Sequence, residues 1–236
     1  MKVTTTPANE LALTNLAYCS ISDLSQFSVP GTDLFLANVS DFFILSFSGH
    51  ERIQDGTIAL NAVQRRHARV SIDDMVTVTR FVPPENFDLT LLALELEFVR
   101  KGTTKNEEVD ALLLSTQLKK KFINQVLTVG QKATFEYHGT NYIFTVNRAV
   151  VTEGQDRFDG IERGMICKDT YFLFETSNAN GIKIINQREA ATSKIFKGKE
   201  FNLESLGIGG LKKEFVDIFR RAFASRIFPP HVRNKL

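Results

Sequence analysis

The 236-residue sequence has no tryptophan and only two cysteines, Cys19 and Cys167, which stand far apart. Two isolated thiols cannot build a disulfide framework. No grouping of cysteine and histidine has zinc-ligand spacing either, so a structural metal knot is not indicated. Sparse cysteine of this kind suits a reducing compartment, and a cytoplasmic location is the expectation. Long hydrophobic runs are also missing. A stretch such as Phe42 to Leu45 falls far short of the roughly 18 apolar residues that cross a bilayer, and MKVTTTPANE lacks the apolar centre of a secretory signal. An excess of one charge is missing as well: 29 Lys and Arg face 27 Asp and Glu, a net charge of +2 that argues against nucleic-acid binding by bulk charge. Any partner site for an acidic surface must therefore be a local patch.

Catalytic signatures are equally scarce. His50, His67, His138 and His231 are scattered, and no serine sits in a Gly-x-Ser-x-Gly elbow. Gly207-Ile208-Gly209-Gly210 resembles a phosphate loop only superficially, because Leu211-Lys212-Lys213 follows where a Walker A loop places Lys and a hydroxyl; Gly198-Lys199 is followed by Glu200. No βαβ unit could follow these glycines within the chain, so a dinucleotide fingerprint is excluded too. Glu95 and Glu97 point the same way from a strand but fit a solvated face better than an acid and base pair.

What is present is a core rich in phenylalanine, with 20 in the chain, and a dense set of strand patterns. Phe43, Leu45 and Phe47 alternate, Ile58 to Val63 follows a glycine turn, and Val76 and Val78 alternate with threonines. Pro83-Pro84 then interrupts, since neither residue can donate to a sheet ladder, and a domain boundary is placed there. Beyond it Leu92, Leu94, Leu96 and Phe98 share one strand face. The periodicity predicts a helix over Glu107 to Val126, with Val109, Leu112, Leu113, Thr116, Phe122, Ile123 and Val126 on its apolar side and Lys119 to Lys121 near its end. Ala133 to Tyr137 and Tyr142 to Val146 read as a hairpin about His138-Gly139, and Tyr171 to Glu175 with Ile182 to Ile185 as another about Asn180-Gly181. One helix against several strands makes this part α+β. Gly154 to Gly164 reads as a mobile polar loop.

Two basic clusters stand out. Gln64-Arg65-Arg66-His67-Ala68-Arg69 has three arginines and no acid before Asp73, and Arg100-Lys101 ends the strand beyond the prolines. The first cluster fits a solvated turn, and it also fits a site for an acidic partner, because arginine presents a planar fork of donors suited to carboxylates. If the two halves pack side by side, Arg65, Arg66, Arg100 and Lys101 could line one groove. At the far end, Phe215, Ile218, Phe219, Ala222 and Phe223 form the apolar stripe of a helix. Seven basic against two acidic residues lie between Gly207 and Leu236. Such a helix can dock on a core or lie on a membrane surface.

Leu206-Gly207-Ile208-Gly209-Gly210-Leu211, Glu214-Phe215, Asp217 to Arg226 and Phe228-Pro229-Pro230 together resemble the N-ethylmaleimide-sensitive factor family, the AAA+ ATPases that disassemble SNARE complexes. Glu10 to Asn15, Gln64-Arg65-Arg66, Val129-Gly130-Gln131 and Phe201-Asn202-Leu203 agree, so the resemblance spans nearly the whole chain. It implies a mainly β chain with an α+β part: a double-psi β-barrel over residues 1–84, an α+β subdomain over 85–202, and a linker with the first helix of an ATPase module over 203–236. It implies that the barrel and its neighbour bind SNAP adaptor proteins on SNARE complexes through Arg65, Arg66, Arg100 and Lys101. It also implies that Ile208 and Gly209 lie beside the adenine in the intact parent, where ATP and Mg2+ are the cofactors and the assembly is a homohexamer. Alone, the chain is expected to be a monomer without cofactor, catalytic turnover or nucleic-acid partner, reaching membranes through SNAP and SNARE proteins. Thr5 stands at a position that is basic in some relatives, and Asp73 at one where glycine can stand.

Overall fold

A computed structural model describes residues 1–41, 43–99, 106–151, 162–176 and 181–187, all within one compact unit. The first six strands are β1 (Lys2–Thr5), β2 (Ala17–Cys19), β3 (Leu36–Val39), β4 (Phe43–Gly49), β5 (Thr57–Leu60) and β6 (Val78–Arg80), with the short helices α1 (Ile21–Leu24) and α2 (Ala62–Ala68) among them. They form one mixed sheet in the order β1-β5-β2-β4-β3-β6. β1 runs parallel to β5 and β2 parallel to β4, while β3 is antiparallel to both its neighbours. The sheet curls, because Val76 donates its N–H to Met1 O at 2.9 Å and Val3 donates to Asp74 O at 2.8 Å, which draws β1 towards the segment leading into β6. Asp73 in that segment has φ +72°. Aspartate tolerates the left-handed region better than most side chains, so the turn forms without glycine, and its carboxylate pairs with Lys2 at 2.8 Å.

Phe43, Leu45 and Phe47 enter the core of this curled sheet with Val3, Ile58 and Leu60, as their alternation leads one to expect. Ile44, between them, is equally buried but in a different cluster, with Leu36, Phe87 and Val126. β4 is therefore covered on both faces, by its own core on one side and by residues from later in the chain on the other.

Those later residues form β7 (Leu89–Phe98), β8 (Glu107–Asp110), α3 (Ala111–Phe122), β9 (Val126–Thr128), β10 (Lys132–Tyr137), β11 (Thr140–Val151), β12 (Arg163–Met165), β13 (Tyr171–Thr176) and β14 (Ile182–Ile185). A four-stranded sheet has the order β10-β11-β7-β13, and β12-β9 and β14-β8 form two smaller pairs. The expected β10–β11 hairpin is present and tight. Tyr137 pairs with Thr140, and His138 and Gly139 between them have φ +48° and +76°, the backbone of a type I′ turn whose twist suits a two-residue loop.

Three expectations need correction. The strand expected to reach Val63 stops at Leu60, because Asn61 caps α2: its side chain accepts from Gln64 N, and the Gln64 side chain accepts from Asn61 N. The arginine cluster is thus helical rather than a turn. The long helix is shorter than its periodicity suggests. Glu107–Asp110 is a strand parallel to β14, and Asp110 then starts α3 by accepting from Leu112 N and Leu113 N. The buried face is Ala111, Leu114, Leu118 and Phe122, while Leu112 and Leu113 remain exposed. Val126 lies in β9 instead. Lastly, β13 and β14 do not pair as a hairpin: β13 is parallel to β7 and β14 parallel to β8. Asn180, residues 154–161 of the polar loop, Arg100, Lys101, Gly102 and the helix after Gly210 lie outside the described residues. Among the described residues no helix is long and apolar enough to cross a membrane.

Candidate functional site at the junction of the two β units

Helix α2 is held from three sides. Its capping box satisfies the first turn, and Arg69 closes it in the left-handed conformation with φ +57°, donating its N–H to Arg65 O and Arg66 O. Gln64 is 1% exposed, with Nε2 donating to Asn15 O at 3.1 Å and Leu16 O at 3.4 Å. His67 meets the Phe43 ring edge-on at 4.7 Å between centroids, and burial pushes its pKa down. The helix also packs against β10 of the other sheet.

The two candidate arginines on this short helix have different surroundings. Arg65 is half-buried and donates from Nη1 to Leu60 O at 2.5 Å, so its guanidinium is partly spent within the fold. Arg66 is exposed, and no described acidic side chain pairs with it. Cations near the last turn also face the negative end of the helix dipole. The result is a fixed platform with a guanidinium available to solvent.

Arg100 and Lys101 lie outside the described residues, but both flanks of their segment are anchored near the β10–β11 turn. On one side Val99 donates its N–H to Asn141 O at 3.2 Å. On the other, Glu107 accepts from Thr140 Oγ1 at 3.1 Å and from the Tyr142 hydroxyl, and its N–H donates to Gly181 O. Burial, followed by the Glu107 carboxylate, pushes the Tyr142 hydroxyl far above its ordinary pKa. Ile208 and Gly209 also lie outside the described residues.

The described residues that join the β units include several that charge and apolar periodicity do not single out. Asn15, with φ +60°, donates from Nδ2 to Gln125 Oε1 at 3.0 Å, and Gln125 Nε2 donates to Thr14 O at 3.1 Å. Asn61 Nδ2 and Thr134 Oγ1 both donate to Ala12 O. Of these contacts, only the Asn61-x-x-Gln64 cap has a local sequence signal. The Asn15–Gln125, Gln125–Thr14 and Thr134–Ala12 bonds connect residues more than 100 positions apart, and Asn61 and Ala12 are 49 apart.

The titratable groups among the described residues have structural surroundings. The described residues contain no cluster of three or more His, Cys, Asp or Glu able to hold a metal. Cys19 is buried in the core, and burial, then Asp23, pushes its thiol up to about 12, a protonated and unreactive state. Glu95 and Glu175 share an Asn147 Nδ2 donor, at 3.4 and 2.7 Å, and Glu97 pairs with Lys132 at 3.5 Å, as residues of a solvated sheet face do.

Residues 108–155 match the family described as Cell division protein 48 (CDC48), domain 2. Over its whole length the chain is 76% identical to a vesicle-fusing ATPase of Arabidopsis thaliana, covering 32% of that protein. It is 27% identical over its whole length to the vesicular-fusion protein SEC18 of Saccharomyces cerevisiae, again covering 32% of it. With the vesicular-fusion protein sec18 of Schizosaccharomyces pombe it shares 30% identity over 77% of its residues, which cover 24% of that relative. The chain thus spans about a third or less of the length of these curated relatives.

Proposed function

We propose that this chain, which belongs to the vesicle-fusing ATPase family, is the portion that grips SNAP adaptor proteins bound to SNARE complexes, so that an attached ATPase can pull the complex apart. The observation that carries this reading is Arg66, exposed and without a described acidic partner, on a helix capped at both ends and packed against the second sheet. In this reading the curled sheet is the double-psi β-barrel of residues 1–84, residues 85–202 are its α+β companion, and residues 203–236 lead into the ATPase module. Arg65, Arg66, Arg100 and Lys101 then form one basic surface for an acidic adaptor.

Charges on such a surface raise association rate and select the partner, and salt weakens them. The chain itself supplies grip and leverage, not bond making. The glycines at Gly207 to Gly210 lack the Walker A lysine and hydroxyl, so no hydrolytic step is assigned to them; Ile208 and Gly209 would only border adenine in a longer protein carrying ATP and Mg2+. Such a protein would work as a homohexamer in the cytoplasm, meeting membranes through SNAP and SNARE proteins.

The test is capture of a preassembled SNAP and SNARE complex by the wild-type chain and by a variant with Arg65, Arg66, Arg100 and Lys101 all changed to Glu. Loss of capture with an unchanged circular-dichroism spectrum is expected. Undiminished capture by the folded variant would overturn the reading.

A further inference from the structure

Two glutamines, one from each β unit, hydrogen-bond to the same stretch of backbone. Gln64, on α2 beside the curled sheet, donates to the carbonyls of Asn15 and Leu16. Gln125, placed between α3 and β9, donates to the carbonyl of Thr14 and accepts from the Asn15 side chain. Neither glutamine can easily shift. The Gln64 Oε1 is occupied by the capping box, and the Gln125 backbone donates to Phe122 O and accepts from Ile166 N. All three amide side chains are at least nine-tenths buried, with exposures of 1% for Gln64, 2% for Asn15 and 6% for Gln125.

Beside this polar contact the units share an apolar cluster, in which Leu36 and Ile44 meet Phe87 and Val126. Apolar contact is non-directional. It favours keeping the two faces together but defines no single rotation between them. Hydrogen bonds are directional, and buried ones cannot be exchanged for water without opening the joint. Directional contact across the junction comes from these amides, with Thr134 Oγ1 donating to Ala12 O beside them.

We propose that the Thr14-Asn15-Leu16 segment, held by Gln64 and Gln125, is a clasp that fixes the relative orientation of the two β units, with Gln125 as the removable half. The clasp turns two small bodies into one lever arm, and it places α2 and its arginines at a set angle to the second sheet. It does not depend on which partner the arginines meet, so a chain that captures no adaptor can still have a working clasp.

Residual dipolar couplings on the isotope-labelled full chain test it. In the wild type, amides of β1 to β6 and of β7 to β14 should fit one alignment tensor. Gln125→Met keeps length and bulk but makes neither hydrogen bond, and it should split the fit into two tensors while each unit keeps its internal fit. Asn15→Gly, which retains the positive φ and the backbone carbonyl, should give the same split in weaker form, and it decides the matter if Gln125→Met does not fold. A single tensor of wild-type quality in folded Gln125→Met, or in Asn15→Gly where Gln125→Met does not fold, would overturn the proposal.

Discussion

Asn15 and Gln125, 110 positions apart, meet side chain to side chain at 3.0 Å in the buried junction between the two β units. Asn15 also holds a left-handed backbone, φ +60°, and its Oδ1 is buried without a hydrogen-bond partner. Its amide offers a donor to Gln125 and its backbone makes the turn.

Those two roles can be separated by substitution. Asn15→Gly should lose only the side-chain bond, about 1 kcal/mol plus the cost of leaving Gln125 Oε1 unsatisfied. Asn15→Ala should lose that and a further ~1 kcal/mol, because alanine tolerates the left-handed backbone less well than asparagine or glycine does. Urea unfolding midpoints of the three proteins check the order. Equal midpoints for the alanine and glycine variants would show that the turn carries no strain.

The two arginines of α2 should respond differently to charge reversal. Arg65→Glu removes the hydrogen bond to Leu60 O and should cost about 1–3 kcal/mol of stability. Arg66→Glu should leave stability within about 0.5 kcal/mol and, under the proposed function, should instead slow association with a SNAP and SNARE complex, most strongly at low salt. Thermal melts and association rates at two ionic strengths distinguish the cases; a stability loss confined to Arg66→Glu would reverse the assignment.

Acidification should loosen the helix face that carries His67. Burial lowers its folded pKa, so the folded state binds its proton less readily than the unfolded chain does. The stabilising contribution is complete above the unfolded value of about 6.5 and is lost as pH falls from there through the lowered folded value. The stability difference between wild type and His67→Gln should therefore shrink from pH 7.5 to pH 5. A constant difference across that range would show that the imidazole does not titrate differently on folding.

At Gly164, on β12, an added Cβ would lie 2.8 Å from Leu89 Cδ2 and 2.8 Å from Val151 Cγ1. Leu89 is a fully buried core residue, so relief requires repacking. Gly164→Ala should cost about 1–3 kcal/mol, read as a lower urea midpoint with an unchanged slope. An unaltered midpoint would mean that the surrounding side chains yield freely.

Much of the second sheet was legible from residue order. Leu92, Leu94 and Leu96 alternate because one face of β7 meets the core, and His138-Gly139 announces the turn that sets the β10–β11 register. The capping box Asn61-x-x-Gln64 was equally local, although the arginines after it drew attention to charge rather than to helix. The pattern from Glu107 to Val126 is helix-compatible throughout, and only the presence of β14 alongside draws Glu107–Asp110 into a strand.

By itself the sequence determined a strand-rich chain, its tight hairpin and the family it resembles, since each depends on neighbours within a few positions or on residue identity alone. The tertiary structure decided which strands run parallel, which side of α3 is buried, why Ile44 is covered as fully as Phe43, and which arginine of α2 is tethered. It also decided the clasp. Parallel pairing and amide-to-amide contact join residues that are remote in sequence, and periodicity within a segment carries no record of a partner so far away.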